Sequence, residues 1–210
     1  MKVESSRRGP YAKGVAKREE ILTQALTVVA ERGVQDTSVK AIADAVGLSP
    51  AGVLHYFSSK EELFTEVLRK RDEVDSQRVA GLDWGGLGEA SGSGEPIDVA
   101  SARKQFVELL ESNSDVPGLL RLFTQLAAEA ADPEHPAHGF FRERGELFRS
   151  LFAAVFAQHN RDHGRTRVDP EVAARMLQAL ADGLQLQALL EPDVDMAGIA
   201  DAFFDAVLGD

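Results

Sequence analysis

The sequence predicts an all-α protein, and three observations carry that expectation. Apolar residues recur at spacings of three and four along most of the chain. Strict alternation of apolar and polar residues never lasts beyond a few positions, and Ser, Thr, Asp, Pro and Gly punctuate the helical stretches at their ends. A first helix is expected from about Ala16 to Arg32, with Ile21, Leu22, Ala25, Leu26, Val28 and Val29 inward and Gly33 as its C-terminal cap. A second starts at Thr37 or Ser38 as N-cap, turns Val39, Ile42, Ala43 and Val46 inward and stops at Gly47. Ser49 caps a short third helix, with Pro50 in the first turn where a missing N–H costs nothing, and this helix is expected to reach Phe57. Ser59 and Glu62 form a capping box for a fourth, whose apolar face runs through Leu63, Phe64, Val67, Leu68 and Val74 to about residue 80.

The stretch "GLDWGGLGEASGSG", residues 81–94, holds 6 of the chain's 18 glycines, too many for regular structure. Beyond it, helices are expected over about 97–113, 117–131, 136–162, 169–190 and 195–208, with Asp169-Pro170 and Asp195 as starts. The organisation expected is a flexible basic arm at 1–17, a small helical domain at 18–68, and a larger helical domain at 69–210 with a Gly-rich loop at 81–96.

With 210 residues, 44% apolar and 27% charged, the chain can bury a sizeable core. No run approaches the ~18 apolar residues of a membrane span, and no apolar segment follows the first basic residues, so a cytoplasmic protein without membrane contact is expected. Cysteine is absent, which excludes disulfides, Cys-based zinc sites and thiol nucleophiles. The net charge of −11 is unevenly spread. Residues 1–72 hold 12 Lys and Arg against 10 Asp and Glu, whereas residues 73–210 hold 11 against 24. Within the first 18 residues, Lys2, Arg7, Arg8, Lys13, Lys17 and Arg18 face only Glu4, an asymmetry suited to an N-terminal end that meets phosphate.

Two helices joined by a short Gly-containing turn make a helix-turn-helix, whose second helix enters the DNA major groove. "SVKAIADAVGLSPAGVLHYF" has its parts: Ala43 is small where the helices cross, Gly47 lies in the turn, and Ile42, Val46, Leu48, Val53 and Phe57 bury the junction. Ser49, Ala51, Gly52, His55 and Tyr56 are left facing outward, small where the backbone must approach base edges and polar where it can bond them. Residues 18–68 thereby resemble the DNA-binding domain of TetR-family transcriptional regulators, on Gly33 followed by "TSVKAIADAVGLSPAGVLHYFSSKEEL". The resemblance implies phosphate contacts from Thr37, Ser38, Tyr56 and Lys60, joined by Arg7 and Arg8 of the arm. Leu54 departs from the pattern, standing where the family often has a Tyr that contacts DNA.

The resemblance further implies a C-terminal helical domain that dimerises through its last two long helices and encloses a small-molecule pocket. "LAAEAADPEHPAHGFF" and "DGLQLQALLEPDVDM" are similar to stretches of one large subgroup, though Ala188 replaces a frequent Trp. Candidate pocket residues are Phe106, Leu110, Leu122, Phe123 and Leu126, with Phe148 and Phe152 from the Phe-rich helix. Gln125, Glu129 and Gln185 are candidate polar groups on otherwise apolar helices. For the dimer, the broad apolar faces offer Met176, Leu177, Leu180 and Leu184, then Ile199, Phe203, Phe204 and Val207. His135, His138, His159 and His163 read as surface or core histidines rather than metal ligands, and no catalytic motif is present, so neither metal, cofactor nor enzymatic activity is expected. The expected function is a homodimeric repressor released from a palindromic operator by an effector. The alternative is an orphan or architectural DNA-binding protein whose C-terminal domain only dimerises.

Overall fold

The computed structural model describes residues 10–78, 97–164 and 168–209, and every regular element among them is helical. Arg7, Arg8 and the Gly-rich stretch 81–96 lie outside the described residues. In chain order the helices are α1 (Pro10–Asp36), α2 (Val39–Ala45), α3 (Pro50–Val53), α4 (Lys60–Arg78), α5 (Val99–Ser114), α6 (Pro117–Glu129), α7 (His138–His163), α8 (Pro170–Leu190) and α9 (Met196–Phe204), followed by a π-helical turn, Asp205–Gly209.

Three boundaries differ from expectation. Helix α1 begins at Pro10, so residues 10–17 are helical and the arm is shorter than the charge pattern suggested. Its expected stop at Gly33 is a sharp break (φ 73°, ψ 165°) inside the element rather than its end. Helix α3 is a single turn rather than reaching Phe57, because the hydrogen bonds tighten after Val53. His55 N–H still reaches the Ala51 carbonyl at 3.0 Å, but Tyr56 N–H turns to the Val53 carbonyl at 2.9 Å.

Apolar side chains gather into two cores. One joins Ile21, Ala25 and Val29 of α1 to Ile42, Val53, Phe57, Leu63 and Val67. Helix α6 belongs to it: Leu119, Leu122 and Leu126 are buried against the N-terminal helices, as is Phe140 of α7. At ~1.5–3 kcal/mol for each fully buried Leu or Phe side chain, these four are a substantial share of what holds the N-terminal helices together. Gly118 permits the approach, since a Cβ there would collide with the Val29 carbonyl oxygen. The second core packs α5, α7, α8 and α9 around a cluster of phenylalanines, with Phe106 and Phe152 ring centroids 5.1 Å apart and Phe148 and Phe152 4.7 Å apart.

Candidate nucleic-acid interface

Ser38 Oγ accepts the Ala41 N–H at 3.1 Å and starts α2. Gly47 takes the left-handed conformation (φ 67°) that the tight turn after α2 requires, and Leu48 N–H closes the turn on the Ala43 carbonyl at 2.9 Å. Ser49 Oγ then accepts the Gly52 N–H at 3.0 Å, capping α3. Val53 and Phe57 are fully buried and anchor this segment at its middle and its end. Ser49, Ala51, Leu54 and His55 are exposed, with Gly52 and Tyr56 half-buried beside them. The His55 and Tyr56 rings meet edge to face at 5.6 Å.

After Phe57, Ser59 Oγ accepts the Glu62 N–H at 3.1 Å, and Glu62 reaches back to the Ser58 N–H at 2.7 Å. The hydrogen bonds from Ser58, aided by the nearby Arg18 guanidinium, hold the Glu62 carboxyl below its ordinary range. Lys60 is exposed over the Phe64 ring at 5.2 Å and makes no ion pair among the described residues. Its ammonium therefore remains available to a phosphate.

One expected phosphate contact, Thr37, and two cations of the basic stretch, Lys17 and Arg18, are bonded within the chain. Thr37 is buried and donates its hydroxyl to the Gly33 carbonyl at 2.6 Å, so it closes the α1–α2 connection instead of facing DNA. Lys17 donates to the Val46 carbonyl at 3.1 Å and to Glu20 at 2.8 Å. Arg18 donates to Glu66 at 2.6 Å and stacks over Phe57 at 4.9 Å. The last two cations of the basic stretch are thus engaged within the chain.

A cavity of about 40 Å³ lies where the two cores meet. Its wall includes Leu68, Arg71, Asp72 and Asp75 of α4, Asn113 of α5, Phe123 of α6, Phe140 and Arg144 of α7, and Gln185 of α8. Asp72 accepts from Arg144 Nε at 3.0 and 3.2 Å. Arg71 bridges Asp75 at 2.7 Å and Asn113 at 2.7 Å. Helix α4, which follows the exposed segment, is therefore tied by side-chain charge to α5 and α7 beside this cavity.

Of the expected pocket residues, only Phe123 and Gln185 line the cavity. Phe106, Leu110, Phe148 and Phe152 are consumed by the second core, and Leu122 and Leu126 by the first. Gln125 and Glu129 bond one another on the exposed side of α6 at 2.9 Å. Arg71, Asp72 and Asp75 of the charged wall were not among the expected pocket residues, because the sequence marks an inward face by its apolar side chains. Counting three, four and seven residues on from Leu68 puts them on its inward face, and Asp75 is buried.

Part of the expected dimer face is buried within the protomer. Leu177, Leu184 and Phe204 are buried inside the protomer, so they cannot meet a partner. Leu180, Phe203 and Val207 are half-buried, whereas Met176 and Ile199 are exposed. Val172, Met176, Ala179, Gly183, Leu186 and Leu190 fall on one face of α8, and Leu190 is 73% exposed. Among the described residues no three His, Cys, Asp or Glu gather as a metal site, and no helix is long and apolar enough to cross a membrane.

Residues 21–67 match the sequence model for bacterial regulatory proteins of the TetR family, and residues 100–209, more than half of the chain, match that for the C-terminal part of BetI-type transcriptional repressors. The chain belongs to the TetR family. It is a DNA-binding transcriptional regulator, in a family of regulators rather than enzymes. Among its relatives, the transcriptional repressor KstR2 of Rhodococcus jostii is 28% identical over 182 residues, covering 79% of this chain and 76% of its own. The transcriptional regulator PksA of Bacillus subtilis is 23% identical over 176 residues, covering 84% and 80%. A transcriptional regulator from Rhodococcus sp. RHA1 superposes with a TM-score of 0.65 at 25% identity, covering 91% of this chain and 96% of that one.

Proposed function

We propose that this TetR-family regulator is a homodimeric repressor that acts in the cytoplasm and is released from a palindromic operator by a small-molecule effector. The exposed face of Ser49–Tyr56, held rigid by two buried anchors, carries the reading. In each subunit Ser49, Ala51, Gly52 and His55 would meet base edges, with Ser38, Tyr56, Lys60 and the Arg7–Arg8 arm on phosphates. The α8 stripe from Val172 to Leu190, with Ile199 of α9, would supply the dimer interface, its small Ala179 and Gly183 allowing close approach. Functionally, residues 18–68 would read DNA and residues 69–210 would sense and dimerise. KstR2, a relative over most of the chain, is itself named a repressor.

The effector would bind at the seam between the cores and alter α4 through Asp72 and Arg71. Two states with different affinity for the effector are what such a switch requires. One observation favours the second reading, an orphan regulator without effector. The cavity's 40 Å³ accommodates one or two water molecules, against roughly 300 Å³ or more for ordinary ligand sites, so an effector must part α4 from α7 to enter.

Fluorescence anisotropy on the intergenic DNA beside its own gene, at two salt concentrations and against scrambled DNA of equal length, tests the proposal. Saturable binding to that fragment alone, weakening with salt, is expected, and small molecules can then be screened for release. Absence of binding to either DNA at low salt would overturn it.

A further inference from the structure

The basic stretch of the sequence ends in two consecutive cations, and the structure spends both on the recognition segment. Lys17 Nζ donates at 3.1 Å to the carbonyl of Val46, the C-cap of α2, one residue before the segment begins. A helix C-terminus leaves such carbonyls without a helical partner, and a lysine there meets both the lone pair and the negative end of the helix dipole. Arg18 holds the other end. Its guanidinium carbon lies 4.9 Å from the centroid of Phe57, the segment's buried terminal anchor, while its Nη2 donates at 2.6 Å to Glu66 of α4. One turn of α1 thus grips residues 47–57 at entry and at exit.

We infer that Lys17 and Arg18 are positioning residues that set operator specificity by fixing the tilt of the recognition segment on α1, not phosphate-binding residues. The inference rests on the reading of Ser49–Tyr56 as the recognition segment. A guanidinium already paired with Glu66 has its charge largely offset and its plane fixed, so it offers a phosphate less than a free one does. Base readout, in contrast, depends on side chains arriving at base edges in register, which the grip controls. Glu66 is shared with Arg69, whose Nε lies 3.2 Å from its other oxygen and whose guanidinium stacks on Phe140 at 5.1 Å. The same carboxylate therefore connects the grip to the cavity wall.

The test uses the full chain and a duplex that the wild-type protein enriches from a random-sequence pool, with a scrambled duplex for non-specific binding. Arg18→Met keeps an unbranched apolar stem against Phe57 and removes the charge. It is expected to lose roughly tenfold in specific affinity, within the range for residues coupled in one ion-pair network, with non-specific affinity and salt slope unchanged. Lys60→Ala serves as the phosphate-contact control, lowering both affinities and reducing the salt slope by about 0.9. Glu66→Gln separates the two roles by sign. A positioning Arg18 loses its anchor, so specific affinity falls, and the Arg18→Met/Glu66→Gln double variant is no worse than either single one. A phosphate-binding Arg18 would be freed, and affinity for both duplexes would rise.

A variant that merely fails to fold lowers both affinities together, which melting curves and titration of the active fraction identify; Arg18→Lys, which restores the charge and the Glu66 pair, must then recover part of the specific affinity or the inference falls. Equal loss on both duplexes with a shallower salt slope for folded Arg18→Met would overturn it. If the wild-type protein enriches no sequence at all, the DNA-binding reading fails and takes this inference with it.

Discussion

Adding one methyl group in the variant Gly118→Ala would bring α6 into collision with α1. The new Cβ would overlap the Val29 carbonyl oxygen and lie 3.0 Å from Gly33 Cα and 3.2 Å from the Ala30 carbonyl oxygen. All three are backbone atoms, which no rotamer change can move aside. In a free helix the substitution would stabilise by about 1 kcal/mol, because Ala loses less backbone entropy than Gly. Overpacking costs about 1–3 kcal/mol, and an overlap with immovable backbone belongs at the upper end, about 2–3, so the collision wins and a net loss of about 1–2 kcal/mol is expected. For a chain of this size that is a fall of roughly 2–8 °C in melting temperature, readable by calorimetry or urea titration. Equal or greater stability for Gly118→Ala would refute the close approach of the two helices and with it the shared core.

Further outcomes follow from the same geometry. Leu186→Glu on the exposed α8 stripe should convert dimer to monomer in analytical ultracentrifugation while the fold persists, whereas Leu177→Ala, in the protomer core, should cost about 2–5 kcal/mol in stability with the dimer retained. Ser49→Ala removes the acceptor for the Gly52 N–H, at about 1 kcal/mol, and should weaken DNA binding several-fold with a fall of roughly 2–4 °C in melting temperature. The Glu62 carboxyl titrates below its ordinary 4.5 in the fold, so it stabilises above that value, and the contribution is lost as pH falls through the lowered one. The melting-temperature advantage over Glu62→Gln should therefore be present at neutral pH and close in acid; a gap independent of pH would refute the assignment.

The helix order and the short capped segment at 49–57 were legible in the sequence because their signals are local. Ser49, Pro50 and Ser59 specify caps whatever surrounds them, and Val53 and Phe57 have the spacing of anchors. The positions that failed depend on what lies across a helix. Thr37 reads as a cap or a phosphate ligand until Gly33 turns its carbonyl toward it. Phe106 and Phe152 read as pocket lining until Phe204 arrives from the far end of the chain to pack against both. On α8 every third or fourth residue is apolar on two faces at once, so periodicity alone could not separate Leu177 and Leu184, which face the core, from Met176 and Leu186, which do not. Arg144 carried no sequence signal, because its role depends on Asp72 reaching it from a helix more than sixty residues away.

Helix α6 comes after the Gly-rich stretch in sequence yet walls the core beneath the recognition segment. A chimera that joined the N-terminal helices of this chain to the C-terminal helices of another regulator would have an obvious seam at the end of α4. A cut there would leave Val29, Leu68 and their neighbours facing an unmatched wall, or none. The transplantable unit is instead discontinuous: α1 to α4 together with Pro117–Glu129 and the first turn of α7. The C-terminal helices can be exchanged only if they arrive carrying a matching copy of that wall, which limits how freely the two halves can recombine.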